Sequence, residues 1–284
     1  MDVGTDTQKL VSDQPLVGER KRGGVTDAGA WRAVECRGIG KATAELMVAN
    51  GWNVLACDVD KGGLASLRTS PSLVTMPLDV SDEEAVKKAV AFCVQRFGSL
   101  DCMFANAGVA GGLDSFLDFE GEEFDRVMKV NVNGVFYCFK HAALEMLKSK
   151  TKGSLIATAS VAGIRSGAGS TPYSASKAAV INMVQTCANQ LAGSGIRVNG
   201  VAPGLIETGM TAPLFKMAEM NNARNRIGQL NPLRRYGVAS EIASVVQFLA
   251  SDGASYVNGQ TIAVCGGLSS SHPVVPAKSG KAAM

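Results

Sequence analysis

Only two histidines, His141 and His272, occur in the 284 residues, so the chain has no His-based catalytic triad, no histidine-rich metal site and no zinc-dependent redox centre of that kind. Charge of either sign is sparse too: charged residues make up 19% of the chain, the net charge is +3 and aromatics are 6%. No basic stripe with interleaved aromatics appears, which excludes the usual footprint of a nucleic-acid binder. The run Glu19-Arg20-Lys21-Arg22 reads as part of a solvated tail. No apolar run is long enough to span a bilayer, and the first 24 residues lack the apolar core of a secretory signal. Cysteines are present, at 36, 57, 93, 102, 138, 187 and 265, but none forms a CxxC pair and most sit in apolar surroundings. That usage predicts buried free thiols in a reducing compartment, hence a cytoplasmic protein without nucleic-acid or membrane partners.

What the chain does contain is one run of unusual chemical content, Tyr173-Ser174-Ala175-Ser176-Lys177, with Ser160 thirteen residues upstream of Tyr173. Ala-rich apolar periodicity predicts a helix over 173–190, and residues at i and i+4 share one helix face, so the Lys177 ammonium can approach the Tyr173 phenol. A neighbouring cation stabilises phenolate and lowers a tyrosine pKa from its usual value of about 10. A tyrosine so placed can act as general acid and base on an alcohol or carbonyl. A Tyr-x-x-x-Lys string also arises by chance on surface helices, so its meaning depends on what surrounds it.

Short apolar runs alternate with amphipathic stretches along most of the chain. Residues 53–56, 73–76, 100–105, 154–159, 196–201 and 261–264 read as strands, while 41–50, 83–97, 124–148, 173–192 and 241–249 carry helical periodicity. Strand and helix in turn imply right-handed crossovers and a parallel sheet covered on both faces. The expected fold is α/β: a doubly wound, Rossmann-like three-layer sandwich in one domain, with a cofactor at the carboxyl ends of the strands. That domain is expected over 25–268. Residues 1–24 are expected to be a disordered or misread N-terminal segment, and 269–284, rich in Ser, Pro, Ala and Lys, a flexible tail.

From about Gly38 to Gly267 the chain resembles the short-chain dehydrogenase/reductase (SDR) family. The resemblance rests on ordered landmarks: Gly38-Ile39-Gly40, Asp58, Asp79-Val80, Asn106-Ala107-Gly108, Asn131, Ser160, Tyr173, Lys177, Pro203-Gly204 and Gly266-Gly267. It implies a catalytic tetrad of Asn131, Ser160, Tyr173 and Lys177. The chemistry of the four is coherent in itself: Ser160 can hydrogen-bond a substrate oxygen, Tyr173 can exchange its proton, and Lys177 can hold the nicotinamide ribose beside it. Asn131, in mid-helix where Asn has poor propensity, would make sense as the support of a water leading protons to Lys177. The resemblance further implies that residues between Gly204 and Arg235, with Met210, Leu214, Phe215, Met217 and Met220 among them, form a mobile lid over the substrate. It also implies a homotetramer, with the helices at 124–148 and 173–190 docking onto their copies.

For the cofactor, Gly38-Ile39-Gly40 has the form of a Gly-rich turn opening a helix, where free N–H groups and partial positive charge meet a pyrophosphate. The family pattern has a further glycine earlier in this turn, and this chain departs from it. Counted back without gaps, that position is Val34 and the first strand is Gly29-Ala30-Trp31-Arg32-Ala33, poor in β-branched residues. With an insertion, Asp27 takes the place and sets a carboxylate beside the diphosphate. Residues 1–37 then reflect either a gene-start or frame error or a divergent loop. Asp58, eighteen residues after Gly40, can accept hydrogen bonds from the adenosine ribose of NAD and would repel the extra phosphate of NADP. Arg37 is the one feature favouring NADP. Asp79-Val80 are expected at the adenine, Asn106-Ala107-Gly108 beside the cofactor, and Pro203, Gly204, Ile206 and Thr208 near the nicotinamide carboxamide. The expected activity is NAD(H)-dependent interconversion of a secondary alcohol and a ketone on a substrate of moderate size and apolar character. Its rivals are an NADP-dependent carbonyl or 3-oxoacyl reductase and an inactive SDR-fold scaffold with a damaged phosphate loop.

Overall fold

The computed structural model describes residues 29–33, 38–112 and 114–272. Asp27, Val34 and Arg37, on which the argument about the phosphate loop turns, lie outside the described residues. So do the expected N-terminal segment and all of the tail beyond His272. A seven-stranded, wholly parallel sheet runs in the order β3-β2-β1-β4-β5-β6-β9. Its strands are β1 (Gly29–Ala33), β2 (Asn53–Asp58), β3 (Leu73–Pro77), β4 (Cys102–Ala105), β5 (Ser154–Thr158), β6 (Arg197–Pro203) and β9 (Thr261–Val264). The order reverses between β1 and β4, which opens a crevice at the carboxyl ends of these two strands.

The faces of β2, β4 and β5 are buried, and the period-two alternation of these strands shows how they divide between two cores. Leu55 and Cys57 of β2, Met103 and Ala105 of β4, and Leu155 and Ala157 of β5 belong to one core. That core is closed by α3 (Glu83–Phe97), α5 (Gly134–Ser149) and α6 (Thr171–Gln190) through residues such as Val90, Phe139 and Val184. The intervening Val54, Ala56, Cys102, Phe104 and Ile156 join the opposite core. There α1 (Gly38–Ala49) and α8 (Ala239–Ala250) pack through Met47, Ile242, Val246 and Leu249. Each fully buried Leu, Ile, Phe or Met here contributes roughly 1.5–3 kcal/mol relative to exposure, so the two cores together set the sheet's position.

The expected helix at 83–97 is found with those bounds because its ends are encoded locally. The Asp82 carboxylate caps the Ala85 N–H at 3.1 Å, Glu83 and Glu84 occupy the first turn, and Gly98 ends it at φ 87°. By contrast, the single helix expected over 124–148 is three pieces: α4 (Gly121–Met128), a π-helical turn Lys129–Asn133, and α5. Hydrophobic periodicity does not register one extra residue in a turn, and π-turns of this kind concentrate at functional sites. The strand at Gly29–Ala33 follows the gapless register despite its poor β composition. Flanking β2 and β4 present two rows of backbone N–H and C=O groups, and a strand inserted between them satisfies both. Periodicity also passes over the short α2 (Lys61–Ala65), β7 (Ile206–Glu207), α7 (Ala212–Met220) and β8 (Gly237–Val238), where β7 and β8 form a separate parallel pair.

Candidate active site

The carboxyl end of β5 delivers the chemistry. Past Thr158 the chain enters Ser160, in extended conformation, whose Oγ accepts the Ala162 N–H at 3.1 Å and so begins a 3₁₀ turn over Val161–Gly163. That turn sits directly on the backbone of α6: a Cβ added to Gly163 would lie 2.6 Å from the carbonyl carbon of Lys177 and 2.7 Å from the Ala178 nitrogen. Only glycine allows this approach, and the approach brings Ser160 beside Tyr173 and Lys177. The Lys177 side chain is 2% exposed, its Nζ donates to the Thr158 carbonyl at 2.8 Å, and it lies 5.6 Å from the centroid of the Tyr173 ring. A buried ammonium needs such partners, since desolvation would otherwise drive off its proton.

Asn131 occupies the π-turn and is fully buried. Its Oδ1 accepts the Val109 N–H at 2.8 Å, while its Nδ2 donates to the Val109 carbonyl at 2.9 Å and to Ser176 Oγ at 3.0 Å. Ser176 Oγ in turn donates to the Tyr173 carbonyl at 2.7 Å. Asn131 therefore ties the loop after β4 to the helix carrying Tyr173 and Lys177. Gly108 lies between these groups: a Cβ there would be 3.2 Å from Asn131 Oδ1 and 3.4 Å from Lys177 Nζ.

One cleft is lined by Ser160, Tyr173 and Lys177, by Asn106 and Gly108 from the end of β4, by Ile39, and by Pro203, Gly204, Ile206 and Thr208. A second cavity is lined by Asp58, Asp79, Val80, Ala107 and Gly108. Gly108 and Met210 border both, so the two halves meet there. Gly38 lines neither cavity; it stands in a left-handed conformation, φ 56°, against Thr208 of the cleft wall, where a Cβ on it would fall 2.8 Å from Thr208 Cγ2. Of the residues singled out in the sequence, Gly38 and Gly40, in the first turn of α1, line neither cavity, and Asn131 stands behind the wall. Thr158, which accepts from Lys177 and donates its Oγ1 proton to Asn106 Oδ1 at 2.8 Å, was not legible beforehand, nor were Val109 and Ser176 as partners of Asn131. Ser176 alone had a signal, its place inside the Tyr-to-Lys interval.

A serine, a tyrosine and a buried lysine gathered at the carboxyl end of a doubly wound sheet, with a glycine turn opposite, is the constellation that decides the family. A family model described as enoyl-(acyl carrier protein) reductase matches residues 33–269. The chain belongs to the short-chain dehydrogenase/reductase family. It is 43% identical over 237 residues to a 3-oxoacyl-[acyl-carrier-protein] reductase of Thermotoga maritima, covering 81% of this chain and 93% of that one. Against the levodione reductase of Leifsonia aquatica it is 38% identical over 245 residues, 83% of this chain and 91% of the relative. A crystal structure of levodione reductase superposes with a TM-score of 0.81 at 35% identity, covering 87% of this chain and 99% of that one. The protein is thus an NAD(P)-dependent SDR oxidoreductase.

The described residues fit the nicotinamide dinucleotide that SDR enzymes use. Gly108 borders both cavities without a side chain to narrow them, the Asp58 carboxylate stands at the end of β2, and Lys177 lines the opposite half. Asp58 is 8% exposed, and its Oδ1 accepts the Asp60 N–H at 2.8 Å, which fixes its orientation. Thr211 Oγ1 accepts the Thr208 N–H at 3.0 Å and donates to the Ile206 carbonyl at 2.6 Å, so the turn that carries Ile206 and Thr208 into the cleft is itself locked.

Proposed function

We propose that this SDR protein interconverts a secondary alcohol and a ketone with NAD(H), and that Tyr173 is its general acid and base. When bound, the nicotinamide supplies or accepts the hydride. The chain's own residues do the rest. Ser160 donates its hydroxyl proton to the substrate oxygen, since the bond it receives from Ala162 leaves that proton uncommitted. Tyr173 passes its proton to the same oxygen in reduction and takes it back in oxidation. Lys177, held at 2.8 Å by the Thr158 carbonyl, keeps a positive charge against the Tyr173 ring and favours the phenolate that the oxidative direction needs. Asn131 positions α6 relative to the loop after β4 and stands where a water could pass protons on to Lys177.

The single observation that carries this reading is Lys177 buried against Tyr173 in one cleft with Ser160. Its test is Tyr173→Phe, which removes the proton and little else. Turnover of NADH with a ketone should vanish while NADH affinity stays within about threefold, and substantial residual turnover would remove Tyr173 from its role.

NAD over NADP is supported by Asp58, Asp60 and Asp79, which border the cavity at the end of β2 and β3 and outweigh its one arginine, Arg126, itself paired with Glu123. A 3-oxoacyl relative at 43% identity supports the NADP-dependent reductase as the second reading. A homo-oligomer, as a tetramer, is supported by α5, where Phe136, Leu144 and Leu147 are about half exposed within one helical stripe. A cytoplasmic site is supported by the free cysteines, of which Cys57, Cys93, Cys102 and Cys138 are buried. Substrates with apolar bodies suit the lid, whose Leu214 and Met217 are exposed beside the cleft-lining Met210 and Thr211.

A further inference from the structure

Within the segment from β7 to β8, one side chain outside the proposed catalytic group gathers several partners. Arg224 lies in a 3₁₀ turn just after α7. Its Nη2 donates to Glu207 Oε1 of β7 at 2.5 Å and approaches the Tyr236 hydroxyl at 3.4 Å, immediately before β8. Its Nη1 donates to Glu219 in the last turn of α7. The guanidinium also faces two aromatic rings, 5.4 Å from the centroid of Phe215 and 5.8 Å from that of Tyr236. Those rings meet edge to face at 4.9 Å and 87°, with Phe215 buried at the root of α7. Hydrogen bonds to Tyr236 and Glu207 push the Arg224 pKa up, so its charge is permanent. One cation thus joins both ends of the lid to the β7–β8 pair by charge-assisted hydrogen bonds and cation–π contacts.

The joined residues are not arbitrary. Glu207 lies between Ile206 and Thr208, which both line the catalytic cleft, and Thr211 locks that turn to the start of α7. Thr208 packs against the glycine turn that opens α1, too closely for a Cβ on Gly38. We propose that Arg224 is a positioning residue: by clasping Glu207, Glu219 and Tyr236 it holds α7 closed and keeps Thr208 against the Gly38 turn, so that the nucleotide leaves only when the clasp opens. This rests on the nicotinamide-nucleotide reading above. A surface ion pair alone would contribute little, but here the same guanidinium is shared by three polar partners and two rings, and rigid lids of this kind commonly set the rate of release.

The test uses the full chain with NADH as probe, comparing wild type, Arg224→Ala, Arg224→Lys and the control Arg226→Ala, an exposed neighbour outside the clasp. Hydrogen–deuterium exchange of amides 208–220 and stopped-flow NADH release are both measured. Arg224→Ala should speed exchange in that segment at least about fivefold and NADH release about tenfold. Arg224→Lys should recover part of both, and Arg226→Ala neither. Unchanged exchange in Arg224→Ala, or an equal effect of Arg226→Ala, would overturn the clasp. Faster exchange with unchanged NADH release would reduce Arg224 to a structural tie and overturn the positioning role. Failure of the wild type to bind NADH would instead refute the nucleotide reading, and would be recognised as such because lid exchange would still respond to Arg224→Ala.

Discussion

Substituting Gly163 by alanine tests how the proposed catalytic groups are brought together, because the clash it creates is with main chain. The new methyl would stand 2.6 Å from the Lys177 carbonyl carbon, 2.7 Å from the Ala178 nitrogen and 2.8 Å from the Lys177 oxygen. Ordinary contact begins near about 3.4 Å, so the Ser160 turn and α6 must separate by roughly 0.8 Å. None of the three atoms belongs to a side chain that could rotate away. Misplacing reacting groups by about 1 Å can cost about a hundredfold in rate, so kcat should fall by roughly thirty- to a hundredfold. Overpacking of this kind costs about 1–3 kcal/mol, which for a domain of this size lowers Tm by about 3–10 °C. NADH oxidation with whichever ketone the wild type turns over, together with calorimetric melting, reads both effects. Gly121→Ala is the control, since a Cβ there meets nothing within 4 Å. A Gly163→Ala protein with wild-type kcat and Tm would refute the idea that close backbone contact positions Ser160.

Other outcomes follow from the same structure. Asp58→Ala should weaken NADH about tenfold and improve NADPH binding, since it removes both an acceptor for the ribose and a repulsive charge; nucleotide fluorescence titration decides, and a variant with unchanged preference would contradict the assignment. Burial pushes the Cys93 and Cys138 thiols up to about 12, so in the native protein near pH 8 an alkylating reagent should leave both unmodified, as peptide mapping would show; rapid labelling of either would contradict its burial. Glu241 is held down at about 2 by its hydrogen bond with Arg235 and then by the Val238 N–H. Because its folded pKa lies below the unfolded value, its stabilisation is complete above about pH 4.5 and is lost as pH falls from there toward about 2. Glu241 is partly solvated, so Glu241→Gln should lower Tm at pH 7 by only about 1–3 °C, with the gap narrowing through that acid window; a gap that is constant with pH would point to packing instead.

Much of the fold and of the site was legible because it is written in local chemistry. The strand at Ser154–Thr158 has a continuous apolar run, and α3 has its cap, its acidic first turn and its terminal glycine in sequence. Tyr173 and Lys177 were legible because an i, i+4 spacing fixes a shared face before any tertiary structure is known. What stayed hidden is tertiary. The π-turn at Lys129–Asn133 shifts the register of a helix whose hydrophobic pattern looks unbroken, and so places Asn131 on Val109 and Ser176. Thr158 holds Lys177 by a backbone carbonyl, and every residue has one. The elements β7, α7 and β8 are too short for periodicity to register, and Arg224 gathers partners 5, 12 and 17 residues away in sequence. The strand at Gly29–Ala33 runs against its own composition because the sheet on either side supplies the hydrogen bonds.

The two cavities that meet at Gly108 and Met210, one with Asp58 and the other with Tyr173 and Lys177, are proposed to take one nicotinamide nucleotide in the form without the ribose phosphate. Titration of the purified chain with NADH and with NADPH, followed by nucleotide fluorescence, tests it most directly. Saturable NADH binding is expected at one nucleotide per chain, at least about tenfold tighter than NADPH. Tighter binding of NADPH would contradict the role given to Asp58, and binding of neither would contradict the enzyme reading and leave an SDR fold serving as a scaffold.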